Sequence, residues 1–259
     1  MEGDSRIAKH CRGICALLLL VRLAAAQSLE GLERLETISL AANTYHVQGI
    51  VVERSKLWVS SVDTAGRRGL LMEFSLPDGK LSRSVEVQDG IRYHPGGISA
   101  DERSLWVPVA EYRKESSSVI QKRNKKTLAV EYQFAVDDHI GCVAVTPEHL
   151  IGANWDARMF YVWNLRGELI RKVSNESGNA FQDLKFAGGQ LVGGGLLAGR
   201  SGAIDWLEYP SFRPLRRMLA GKTDRGVAWT HEGMAINDGT LWLLPEDAPS
   251  RLFGFRLSR

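Results

Sequence analysis

The sequence predicts an all-β chain folded as a single five-bladed β-propeller, its ring closed by an N-terminal strand joining the C-terminal blade. Three observations predict it. One strand–turn–strand motif recurs five times along 259 residues, the recurrences lie one blade's length apart, and the last unit is a strand short while the chain before the first holds a spare. Composition agrees: 26 Gly suit tight turns between short strands, and 44% hydrophobic residues suffice for a packed core. With 33 Lys+Arg against 30 Asp+Glu, no basic field marks a nucleic-acid partner.

The first element is a leader. Arg6, Lys9 and Arg12 form a basic stretch, residues 14–21 an apolar one, and Ala24-Ala25-Ala26 a small-residue cleavage site. This is the pattern of a secretory signal peptide, too short and too closely bounded by Arg22 to span a bilayer. Cleavage near Ala26 predicts a secreted or periplasmic protein whose residues 27–259 form one propeller domain. It removes Cys11 and Cys15 and lowers the net charge from +3 to about +1. Cys142 is left without an internal disulfide partner, so packing alone must hold the fold. No later stretch is apolar enough for a membrane span, and a monomer is expected.

The five units follow. They read His46-Val47-Gln48-Gly49-Ile50 to Leu57-Trp58-Val59, and His94-Pro95-Gly96-Gly97-Ile98 to Leu105-Trp106-Val107. The third and fourth are His139-Ile140-Gly141-Cys142-Val143 to Leu150-Ile151-Gly152, and Ala180-Phe181-Gln182-Asp183-Leu184 to Leu191-Val192-Gly193. Thr230-His231-Glu232-Gly233-Met234 to Leu241-Trp242-Leu243 is the last. Aligned on Gly49, Gly97, Cys142, Asp183 and Gly233, the steps are 48, 45, 41 and 50 residues, room for four strands each. Outer strands are expected over residues 69–76 and 81–87 in unit one, joined at Pro77-Asp78-Gly79, and over 159–164 and 168–173 in unit three. The last unit supplies strands near 234–236, 241–244 and 252–257. Residues 35–40 offer the missing strand and cover an edge that would otherwise stay open.

Propeller geometry then collects the chemistry. The turn before each innermost strand and the loop after the second strand share one face, so His46, His94, His139 and His231 should ring the channel mouth. Acids stand five residues beyond the Trp position in four units: Asp63, Glu111, Asp156 and Asp247. The pairs expected to meet are His46 with Asp63, His94 with Glu111, His139 with Asp156, and His231 or Glu232 with Asp247. Imidazoles and carboxylates converging this way suit a ligand site, a metal site or acid–base work near neutral pH. The candidate ligand-binding set is His46, Gln48, His94, Glu111, His139, Asp156, Arg225, His231, Glu232 and Asp247. His46, His94, His139 and Glu232 are the candidates for a divalent cation, zinc if imidazole dominates and calcium if carboxylate does. His94 and Glu232 are the candidate proton carriers. The plainer reading is that these residues tie each loop to its neighbour's backbone, because duplication copies structural residues too. Blade four breaks the pattern, with Ala180 and Leu197 in place of His and acid and with Gly193-Gly194-Gly195 beside them. The charged loop from Glu111 through Tyr112, Arg113 and Lys114 to Glu115 is expected to touch the rim.

Several longer runs resemble a known family. They include Val87-Gln88-Asp89-Gly90, Tyr93-His94-Pro95-Gly96-Gly97, Leu105-Trp106-Val107-Pro108-Val109-Ala110-Glu111-Tyr112-Arg113 and Asp138-His139-Ile140-Gly141. Asn154-Trp155-Asp156, Gly221-Lys222-Thr223-Asp224-Arg225-Gly226 and Leu244-Pro245-Glu246-Asp247 belong with them. Together they resemble an uncharacterised family of secreted bacterial propeller proteins, a resemblance that implies export and fold but no reaction. More loosely, the blade pattern is similar to gluconolactonase/strictosidine-synthase-like propellers and to five-bladed glutaminyl cyclases, which hold a metal or polar cluster in the channel. Neither family's diagnostic motif is matched residue by residue, so no catalytic role carries over. No Gly-x-Ser-x-Gly elbow, Walker loop, Cys-x-x-Cys pair or His-Glu-x-x-His helix is present. Three functions are expected to compete. They are a module binding a small molecule, peptide or glycan at the mouth, a metal-assisted lactonase-like or glutaminyl-cyclase-like enzyme, and a structural ring for assembly.

Overall fold

In the computed structural model residues 27–257 are described, so the expected leader lies outside them. They form five sheets of the expected kind, a five-bladed β-propeller. Blade one runs outward through His46–Glu53, Lys56–Asp63, Arg68–Ser75 and Lys80–Glu86, each strand antiparallel to the last. Blade three repeats this with Ile140–Val145, His149–Asn154, Met159–Asn164 and Leu169–Ser174. Burial follows position in the blade. The second strand of blade one is buried except at its first residue, whereas the outermost strand has no buried residue.

Blade two departs from the expected innermost strand, which breaks into His94–Pro95 and Ser99–Ala100. Pro95 has no N–H to donate. Gly96 N–H still donates to Pro108 O of blade two at 2.9 Å, and the backbone then leaves its own sheet for blade three: Gly97 N–H donates to Gly141 O at 2.8 Å, and Val143 N–H to Gly97 O at 3.0 Å. Blade two is completed by Ser104–Ala110, Ser118–Asn124 and Val130–Val136. Blade four holds Ala180–Ala187, Gln190–Leu196, Gly202–Glu208 and Pro214–Leu219, with an unforeseen fifth strand, Gln27–Ser28, parallel to the last.

Blade five contains Glu232–Asn237, Thr240–Pro245 and Arg251–Arg256, and its fourth strand is Arg34–Ser39 from the other end of the chain. Each of the five core clusters straddles two neighbouring blades. The cluster between blades five and one combines Ile38, Leu244 and Leu252 with Ile50, Val59 and Phe74.

The axis is filled by an ion pair from blade four. The Asp183 carboxylate, fully buried, accepts the N–H of Ile50 of blade one at 2.9 Å and of Met234 of blade five at 3.1 Å. It also accepts the ammonium of Lys185, which donates to Ile98 O of blade two at 2.7 Å. Burial pushes the Asp183 carboxyl up to about 6 against these donors, and the same burial pulls Lys185 down. The aligned column is small for this reason: a Cβ on Gly49 would stand 2.5 Å from Gly97 Cα and 3.1 Å from Asp183 Oδ2.

Candidate functional site

The four histidines open the innermost strands or immediately precede them, so the ring topology brings them to one mouth. His46 and His94 have ring centroids 6.5 Å apart, and His94 and His139 5.3 Å. Aromatic rings wall this side: Tyr112 stacks on His94 at 4.6 Å, and Trp155 meets His139 edge-on at 4.6 Å. The loop expected to touch the rim does so, because Arg113 O also accepts a hydrogen bond from His139 Nδ1 at 2.8 Å.

Carboxylates occupy the other side. His46 Nδ1 lies 2.7 Å from Glu246 Oε1, His231 Nε2 lies 2.8 Å from Glu232 Oε1, and His231 Nδ1 is 3.9 Å from Glu246 Oε2. One ligand atom from each of His46, Glu232 and Glu246 falls within 4.8 Å of the other two. Among the described residues three buried side-chain atoms have no hydrogen-bond partner: His94 Nδ1 and Glu232 Oε2 in this cluster, and Asn179 Oδ1.

The imidazoles divide by charge. Burial, reinforced by His139 and His46, drives His94 down to about 3, and burial also lowers His139, so both shifts favour the uncharged ring. For His46, burial is outweighed by the Glu246 hydrogen bond and the charges of Glu232 and Glu246, and its pKa rises. The Glu232 hydrogen bond likewise raises His231, and despite burial the His46 contact lowers Glu246.

The expected histidine–acid pairs are not hydrogen-bonded. Asp63 is held by Arg68 at 2.7 Å and by the Gly66 N–H, and Glu111 by Arg113 at 2.7 Å. Asp247 binds Arg225 at 2.7 Å together with Arg251. Asp156 is exposed and reaches His139 only through its charge. Strand alternation explains the offset. His46 pairs with Val62, and His94 with Ala110. The next residues, Asp63 and Glu111, therefore turn to the opposite face. In blade five Glu232 pairs with Pro245, and Glu246 N–H donates to His231 O at 2.6 Å, which puts Glu246 rather than Asp247 against the histidine. The column one residue before the acids carried that signal in the sequence: Val62, Ala110, Trp155 and Glu246.

Of the residues expected to hold a cation, His46 and Glu232 converge, joined by Glu246, while His94 and His139 stand beside them among aromatic rings. Gln48 is buried at a bulge and donates to its own neighbour's carbonyl, Val47 O, at 3.0 Å. Arg225 ties its loop, donating to Asp247 O at 2.9 Å and Pro249 O at 2.8 Å as well as to the Asp247 carboxylate. The Gly193-Gly194-Gly195 run is packed: a Cβ on Gly195 would meet Ala180 O at 2.3 Å.

Two clefts open beside the cluster and share His231 and Arg200. One, about 500 Å³, is lined by Asp156, Arg158, Asn179 and Gln182, and the other, about 480 Å³, by Lys222, Val227 and Glu246. A larger cleft of about 1090 Å³ lies at the opposite end, around the hairpin at Arg54 and Ser55. Two of its lysines are held by acids: Lys125 by Glu53 at 2.6 Å, and Lys56 by Glu73 at 2.6 Å. The histidine–carboxylate cluster adjoins the smaller clefts.

A five-bladed propeller with a histidine–carboxylate cluster at one mouth is thus the class to which fold and site assign the chain. Within it, the chain belongs to the family of unknown function DUF6454, whose model matches residues 16–182. The fold is similar to the crystal structure of Myxococcus xanthus glutaminyl cyclase, with a TM-score of 0.67 over 86% of this chain and 95% of that one. At 14% identity the likeness is one of fold. No curated protein matches the sequence. Among the described residues no helix is long and apolar enough to cross a membrane.

Proposed function

We propose that the protein is an exported binding propeller that takes a small polar ligand, a small molecule, peptide or glycan, at the mouth lined by His46, His94, His139, His231, Glu232 and Glu246. One observation carries this reading: His94 Nδ1 and Glu232 Oε2 are buried without partners in one cluster. A buried polar group left unpaired costs about 1–3 kcal/mol, and a ligand donating an N–H or O–H to Glu232 recovers that cost. The two clefts that meet at His231 give such a ligand room. Glu111, Asp247 and Arg225 hold the surrounding loops.

A thermal-shift and calorimetric screen of glutaminyl dipeptides, sugar lactones and short glycans tests the reading. A ligand whose affinity falls at least tenfold in both His94→Ala and Glu232→Gln is the expected result. Ligands that bind both variants as tightly as the parent would remove the mouth from the reading.

A second reading, catalysis at the same mouth, is favoured by the open oxygen of Glu232. A carboxylate held by His231 through Oε1 and unpartnered at Oε2 suits general-base work on an amine or water, of the kind a glutaminyl cyclase or lactonase needs. Pyroglutamate release from a glutaminyl peptide, lost in Glu232→Gln, would establish it. No turnover of peptide, lactone or ester would leave binding as the function.

A further inference from the structure

We infer that His46, Glu232 and Glu246 form a site for one divalent transition-metal cation, zinc by preference, with His231 orienting the Glu232 carboxylate. The inference shares the mouth with the reading above but does not require it.

The geometry comes first. Three ligand atoms within 4.8 Å of one another surround a point that a cation can reach with small side-chain rotations, since zinc sits about 2.0–2.2 Å from nitrogen and carboxylate oxygen. No backbone movement is required, because His46 and Glu232 are fixed at the starts of innermost strands. Glu246 is fixed in turn by its N–H on His231 O.

Charge is the second argument. Two carboxylates converge on one spot with Glu232 only 2% exposed, and a dication balances them one for one.

The third is the open valence. His231 holds Glu232 Oε1 at 2.8 Å and leaves Oε2 of the same buried carboxylate with no partner, the arrangement that outer hydrogen bonds create around metal-binding carboxylates. Donor type then selects the metal. One imidazole and two carboxylates suit zinc, whereas calcium seeks six to eight oxygen ligands. Three protein ligands leave a position free at the junction of the two clefts, where His231 and Glu246 line the walls.

The experiment is calorimetric titration of the full, chelator-stripped protein with zinc chloride alone, and separately with calcium chloride. Expected is one zinc per chain, weakened at least tenfold in each of Glu232→Gln and Glu246→Gln. His149→Ala, whose ring binds the Tyr209 hydroxyl at 2.6 Å, should bind as the parent does. Absence of zinc binding, binding unchanged in both Gln variants, or preference for calcium would each overturn the inference. Should a Gln variant fail to fold, X-ray absorption at the zinc edge of the parent decides: one imidazole supports the site, and none, several or a sulfur ligand overturns it. The organic panel repeated on stripped protein keeps the two readings separable, because ligand binding without zinc binding overturns only the cation.

Discussion

His94 and Trp106 are both aromatic rings with less than a tenth of their surface exposed, and they should respond unequally to truncation. Trp106 is packed in the core between blades two and three, with its indole N–H on Asp101 at 2.9 Å. Trp106→Ala should cost about 3–5 kcal/mol in denaturant unfolding. His94→Ala removes an unpaired nitrogen and should cost far less near neutral pH. The acid side of the stability curve separates the two further. The folded pKa of His94, about 3, lies below its ordinary 6.5, so the unfolded chain binds a proton between those values that the native state refuses. His94 therefore withdraws stability as pH falls from 6.5 towards 3. His94→Ala should gain on the parent progressively over that window when both are unfolded by urea. A constant difference across it would show that His94 is not held neutral.

At the scale of elements, the loops leaving the second strands of blades one, two and five repeat one device, an acid clasped by an arginine. Asp247, its carboxylate fully buried, holds Arg225 and Arg251, so Asp247→Asn should cost about 3 kcal/mol, the lower end for a broken buried pair because Arg225 is 37% exposed. Glu111→Gln, whose partner Arg113 is 65% exposed, should cost much less. Thermal unfolding of the two variants side by side checks the order, and equal losses would contradict it. These loops also mark the limit of what the sequence disclosed. The strands, the histidine turns and the N-terminal strand were legible because a repeat of fixed length repeats its apolar and Gly positions. Glu246 was not. Which of two adjacent acids faces the histidine depends on pairing register, and blade one carries a bulge between Val47 and Gly49 where blade five pairs without one. The break in blade two was hidden for a related reason, since Gly97 bonds to a strand of the next blade rather than to its own.

For the whole molecule, the axial pair matters most. Asp183 stood in view as the one acid in a column of small residues, but its partners are backbone groups of distant blades that no spacing reveals. Asp183→Ala strands the buried Lys185 ammonium and two N–H groups, and should cost about 3–5 kcal/mol or prevent folding. Replacing both Asp183 and Lys185 with apolar residues should be milder than the sum of the single changes, a coupling that a double-mutant cycle in urea measures. Additive losses would mean that the two charges stabilise the blades separately. Deleting the chain through residue 39 should be worse than either, because it strips a strand from blade five and takes Ile38 from the core shared with blade one.

That ion pair also decides what kind of vessel the ring makes. With its bore stoppered midway by Asp183 and Lys185, the molecule is a cup and not a tube: a solute arriving among the histidines leaves by the way it came.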